Sequence, residues 1–120
     1  MEAKELRIGN YVKDHLGRVQ EVSETRSDAY ICYLSNGTKL KYKLNTTKPI
    51  PLTEEWLVKF GFLLDLHHHR RLTYSLNRIT TYKQDGVFWC DILWNCLELK
   101  HVHQLQNLYF ALTNEELIIK

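Results

Sequence analysis

His101-Val102-His103-Gln104-Leu105-Gln106-Asn107-Leu108-Tyr109-Phe110-Ala111-Leu112 is the stretch that decides the fold class. Val102, Leu105, Leu108/Tyr109 and Leu112 recur at the interval that lines one side of an α-helix. Such a helix is stable only when that side lies against another element. The residues before it read as strands, so the spacing predicts an α+β protein in which a closing helix covers a sheet. Asn114 suits the left-handed position that ends the helix, and Glu115–Ile119 then reads as a helical turn or an edge strand.

Working back along the chain, Cys96–Lys100 reads as a short strand leading into the helix. Val87–Trp94 is the longest strand candidate, with Phe88, Cys90, Ile92 and Trp94 on one face. Val87, Trp89 and Leu93 make the other face apolar too, which predicts a central strand interrupted only by Asp91. Asp85-Gly86 marks a hairpin turn before it. Leu72–Asn77 alternates as a half-buried strand does, and Ile79–Tyr82 either continues it or forms another. Upstream, Thr53 caps a short helix expected over residues 52–61. Leu52 and Leu57 have hydrophobic-staple spacing, Glu54 and Glu55 sit in the first turn, and Gly61 follows the end.

Pro49-Ile50-Pro51 is the one internal boundary, because proline cannot donate to a central ladder. Residues 1–48 form the β part and residues 49–120 the α+β part, expected to pack as one compact unit. Within the first part Leu6–Val12 reads as extended and Asp14–Gly17 as a turn. Arg18–Glu24 reads as a strand whose bulge turns both Val19 and Val22 inward. Ser35-Asn36-Gly37-Thr38 then joins Tyr30–Leu34 to Lys39–Leu44 as a type I′ hairpin. These short strands predict a small, curved antiparallel sheet, for which an SH3-like barrel is one form.

Composition bounds the function classes. With 120 residues, 44% hydrophobic and 25% charged, the chain fits an ordinary globular domain and not a disordered tail. No apolar run approaches the ~20 residues of a membrane span, and the start has no apolar leader, so a cytoplasmic location is expected. Cys32, Cys90 and Cys96 make an odd count without a CxxC pair, which favours packed thiols over metal or redox use. Sixteen basic against fourteen acidic side chains do not by themselves imply nucleic acid. The bias lies in residues 1–48, with nine basic and six acidic side chains.

Three phrases carry a resemblance: Leu6-Arg-Ile-Gly-Asn-Tyr-Val12, Pro49-Ile-Pro-Leu-Thr-Glu-Glu-Trp-Leu-Val-Lys-Phe-Gly-Phe62 and Val102-His-Gln-Leu-Gln-Asn-Leu-Tyr-Phe-Ala-Leu-Thr-Asn-Glu-Glu-Leu117. In that order they resemble a family of small proteins of Bacteroides-type gut bacteria and their phages or mobile elements. Asn114 stands where such proteins often have Gly. The resemblance implies an origin and supplies no activity, ligand or catalytic residue.

Few residues converge on chemistry. Lys39, Lys41 and Lys43 fall on one face of a strand, while Leu40, Tyr42 and Leu44 turn inward. That row either guards a sheet edge or tracks a nucleic-acid backbone, with Tyr33 or Tyr11 as a stacking platform. Arg70 and Arg71 close a His67-His68-His69 run on a loop and can donate to phosphate at any working pH. Adjacent histidines converge poorly on one metal ion, and His101 and His103 do so only if they precede the helix in extended backbone. Gln104, Gln106 and Asn107 form either a recognition face or a wet one. Asp91 needs a partner such as Arg78 or Tyr82 if it is buried. No nucleophile elbow, phosphate loop or spaced metal-ligand set is present, so no catalytic, cofactor-binding or metal-ligating residue is assigned. The expected function is a non-catalytic accessory or adaptor protein working by protein–protein contact. The alternative is a nucleic-acid-binding module using Lys39, Lys41, Lys43, Arg70 and Arg71; neither a membrane nor a small molecule is implied.

Overall fold

The computed structural model describes residues 6–25, 29–33, 38–65, 72–77, 79–92 and 95–120. The fold is α+β, and the chain forms two compact units. One gathers the segment up to Ile50 with His101–Glu116; the other holds Pro51–Lys100 and Leu117–Lys120. The Pro49–Pro51 segment is thus a boundary, but the closing helix belongs with the first fifty residues.

In the first unit, β1 (Tyr11–Lys13) pairs antiparallel with β2 (Val19–Glu21). Asp14 builds the turn between them. Its carboxylate accepts from the Leu16 and Arg18 amides at 2.9 Å each, from Arg18 Nε at 3.0 Å and from Gln20 Nε2 at 3.1 Å. Burial alone would raise the pKa of this acid, but four donors outweigh it and bring the pKa down to about 2.

The expected strand over Arg18–Glu24 does not form as one piece. Val22 exchanges backbone hydrogen bonds with the Gly9–Asn10 turn, its N–H reaching the Asn10 carbonyl (2.9 Å) and its carbonyl taking the Gly9 N–H (2.7 Å). That stitch buries Val22 and leaves Val19 48% exposed, so no bulge turns both inward. Beyond it the chain enters a second sheet, with order β3 (Glu24–Thr25), β4 (Ala29–Tyr33), β5 (Lys39–Lys43). Two small sheets result, and they do not close into an SH3-like barrel. The β4–β5 hairpin forms as expected, from Ala29↔Lys43 to Tyr33↔Lys39. Its Ser35-Asn36-Gly37 turn lies outside the described residues. Leu6, Val12, Val22, Tyr30, Tyr42 and Leu44 make the core, with Tyr30 and Tyr42 stacked 5.4 Å apart.

The closing helix, residues Val102–Thr113, completes the first unit. It lies against β1. The Gln104 side chain reaches back to accept the His101 N–H at 3.0 Å, and Asn114 ends the helix at φ +59°. Val102, Leu105 and Tyr109 are buried as the period requires, but Leu112 is half exposed. The buried face is turned toward His103 and Gln106, which are 3% and 0% exposed.

In the second unit five antiparallel strands follow the order β10-β9-β8-β7-β6. They are β6 (Leu63–Asp65), β7 (Leu72–Leu76), β8 (Ile79–Gln84), β9 (Val87–Ile92) and β10 (Asn95–Leu99). The middle strand is β8; β9 lies inside the sheet, paired with β8 on one side and β10 on the other, an inner strand as its apolar run predicts. Of its two faces, Phe88 and Cys90 are buried, Val87 and Trp89 half-buried, and Asp91 exposed. Asp85 and Gly86 turn at φ +54° and +78°, the pair of positive angles a type I′ hairpin needs.

Helix α1 (Glu54–Lys59) supports this sheet. Thr53 accepts the Trp56 N–H, while Leu52 and Leu57 are both buried. Gly61 at φ +92° closes the helix, with Gly61 N–H to Val58 O and Phe62 N–H to Leu57 O, each at 3.0 Å. That double bond pattern is a Schellman motif. Glu54 ties α1 to the sheet through Lys83 (3.0 Å) and Tyr74. The tail forms neither a helical turn nor an edge strand. It buries Leu117 and ends with Lys120 N–H on Lys59 O at 2.8 Å.

Candidate functional site

Lys39, Lys41 and Lys43 all stand exposed on β5, and Tyr42 between them is buried. Strand periodicity therefore produces the basic row read from the sequence, and it occupies an edge strand with β4 as its neighbour. The backbone partners of Lys43, Lys41 and Lys39 are Ala29, Ile31 and Tyr33. Ile31 is also paired with Glu24 on its other side, so Glu24 stands in register with Lys41 across the sheet. Tyr11 is 9% exposed and serves as core, not as a stacking platform. Arg70, Arg71 and the His67–His69 run lie outside the described residues, as does Arg78.

Two further lysines extend the basic character of this unit. Lys13 and Lys48 exchange both backbone hydrogen bonds, Lys13 N to Lys48 O at 2.9 Å and Lys48 N to Lys13 O at 3.0 Å. Sequence reading missed this pair because the partners are thirty-five positions apart. The one signal was Pro49, which biases Lys48 to extended backbone.

Gln106 and Asn107 are anchors, not a recognition face. Gln106 accepts the Tyr11 N–H and donates to the Gly9 carbonyl, both at 2.9 Å. Asn107 Oδ1 accepts from Asn10 Nδ2 (2.9 Å) and from Arg7 (3.3 Å), whose guanidinium also pairs with Glu116 and lies 3.9 Å over the Phe110 ring. The first and third of the quoted phrases thus meet in one network. His101 and His103 do share a side, with rings stacked 5.7 Å apart, because His101 precedes the helix in extended backbone. Among the described residues, no three of His, Cys, Asp and Glu converge as metal ligands.

The second unit holds two polar groupings. Asp91 accepts from the Tyr82 hydroxyl and from the Cys96 thiol, each at 3.1 Å. Tyr82 was one of the two partners expected for it. The hydrogen bond with Cys96, burial and the Asp91 carboxylate together raise the Tyr82 pKa above its ordinary value. On the α1 side, an open groove of about 490 Å³ is lined by Leu52, Thr53, Glu54, Glu55, Lys83 and Phe88. Glu54 and Lys83 neutralise each other there, and burial with Glu54 raises the Tyr74 pKa.

Large apolar side chains are exposed on α1, on β6 and on the tail of this unit. Val58 is 63% exposed, Leu63 74%, Leu64 44%, Ile118 52% and Ile119 42%. The bond from Lys120 to Lys59 holds the tail beside the turn that leads into β6. Leu63 and Leu64 occupy that edge strand and have β7 as their partner in the sheet. Among the described residues no helix is long and apolar enough to cross a membrane. No family model, no curated protein and no solved structure matches the chain.

Proposed function

We propose that the chain is a non-catalytic accessory or adaptor protein, cytoplasmic and carried by a mobile element, that works by contact with another protein. The observation that carries this reading is the exposure of Leu63 and Leu64 on the edge strand β6, with Val58 on α1 and Ile118 and Ile119 on the tail of the same unit exposed as well. An edge strand is usually blunted by lysine, proline or a bulge, because its open N–H and C=O groups recruit other strands. β5 carries that protection, whereas β6 presents two leucines. The partner is then an extended apolar segment that adds a strand to β6 and covers the leucines, a mode in which main-chain bonds give affinity and side chains give specificity.

The test is cross-linking of the tagged protein in its native host, with mass-spectrometric mapping of the linked residues. A partner linked beside residues 58–64, and lost in a folded Leu63→Lys, Leu64→Thr variant, is the expected result. A partner retained by that variant overturns the reading. A second reading, nucleic-acid binding by the first unit, is favoured by the exposed row Lys39, Lys41 and Lys43.

A further inference from the structure

Lys13 and Lys48 form a directly opposed, hydrogen-bonded antiparallel pair. In such a pair the two side chains leave the same face, with Cβ atoms ~5.5 Å apart. Like charges in that position oppose folding, and natural sheets usually place an acid on one side. Among the described residues no ion pair joins an acid to either lysine. Asp14 follows Lys13 but turns its carboxylate into the β-turn, where both oxygens are engaged. Glu21 is paired with Tyr11, two residues along β1 and so diagonally across the same face from Lys13, which is itself paired with Val19 and has no ion pair with Glu21. Lys48 is exposed and Lys13 half-buried.

The same chain segment joins this pair to the lysine row. Lys43 ends β5, and its carbonyl accepts from Thr46 Oγ1 (3.1 Å) and Thr47 Oγ1 (2.8 Å), which ties down the turn leading to Lys48. Successive lysines along β5 are ~6.8 Å apart, two residues of antiparallel strand. A ligand with anionic groups repeated along an extended backbone matches such a row better than a single ion does. We propose that Lys13 and Lys48 together hold one phosphate of a single-stranded nucleic acid whose neighbouring phosphates are met by Lys39, Lys41 and Lys43. This rests on the nucleic-acid reading and adds the anchor to it. The paired lysines cost the free protein some stability and recover it when a phosphate sits between them, a trade common at binding sites.

The experiment is a fluorescence-anisotropy titration with a labelled mixed-sequence single-stranded DNA over a range of salt, beside thermal melts of the free proteins. The variants are Lys13→Gln with Lys48→Gln, Lys39→Gln with Lys41→Gln and Lys43→Gln, and the charge-keeping Lys13→Arg with Lys48→Arg. The double Gln variant is expected to melt at or above wild type yet bind about tenfold or more weakly, with the log–log salt slope reduced by ~0.7, the share of one phosphate. The triple variant loses a slope of ~2, and the Arg variant keeps wild-type binding. Wild-type binding that weakens in the triple but not the double variant overturns the anchor and leaves the nucleic-acid reading standing. No wild-type binding at low salt overturns both, as does equal affinity for poly-glutamate.

Discussion

Gln106 serves Tyr11 as a neighbouring strand would, taking its N–H through Oε1 while Nε2 donates to the carbonyl of Gly9. One side-chain amide thus satisfies two backbone groups of a segment too short to find a third strand. Replacing Gln106 by Leu keeps the volume roughly constant and orphans both groups. Each buried orphan costs ~1–3 kcal/mol, so urea unfolding should show a loss of ~2–4 kcal/mol at unchanged m. A loss under ~0.5 kcal/mol would show that water replaces the amide.

Asp14 gives the protein a definite acid response. Its folded pKa, about 2, lies below its ordinary 3.8. The native state therefore holds fewer protons, and the stabilisation is complete above about pH 4 and lost as pH falls from there towards 2. Asp14→Asn should narrow its gap to wild type across that window and keep it constant above. A gap that widens on acidification contradicts the assigned hydrogen bonds.

Thr81 sits at the middle of the five-stranded sheet, 0% exposed, with its hydroxyl lacking a partner among the described residues. The isosteric Thr81→Val removes an orphaned polar atom and should raise stability by ~1 kcal/mol. A fall of similar size, read from melting curves, would mean that the hydroxyl is engaged.

The thiols Cys90 and Cys96 should separate cleanly. Cys96 is exposed, whereas Cys90 is buried and its pKa is raised, first by that burial and then by Asp91. Native-state alkylation followed peptide by peptide should label Cys96 about tenfold or more faster than Cys90, with the difference vanishing in denaturant. Equal rates would place Cys90 at the surface.

Periodicity made much of this fold legible. The alternation of Lys39–Lys43, the caps at Thr53 and Asn114, and the Asp85-Gly86 turn are local signals, and each appears where the residues put it. What escaped depends on partners distant in sequence. Arg18–Glu24 reads as one strand until Val22 is seen bonded to the Gly9–Asn10 turn. Gln106 reads as a wet residue because nothing near it in sequence reveals that Tyr11 requires an acceptor. Strand β6 was missed since three residues, Leu63–Asp65, are too few to show a period. The lysine row was legible and the Lys13–Lys48 pair was not, for the same reason.

The first unit's two parts leave the ribosome half a chain apart, with the whole sheet of the second unit between them. Until His101–Glu116 emerges, the Gly9–Tyr11 segment has no Gln106 and Arg7 has no Glu116. Vectorial synthesis therefore cannot finish the first unit first, although its strands are made first. The Gly9–Tyr11 segment waits with its hydrogen bonds incomplete while the strands of the second unit are made. Cutting the gene at residue 50 would then yield a fragment without its clasp, whereas a circular permutant that places residues 101–116 ahead of β1 would hand each strand its helix in order.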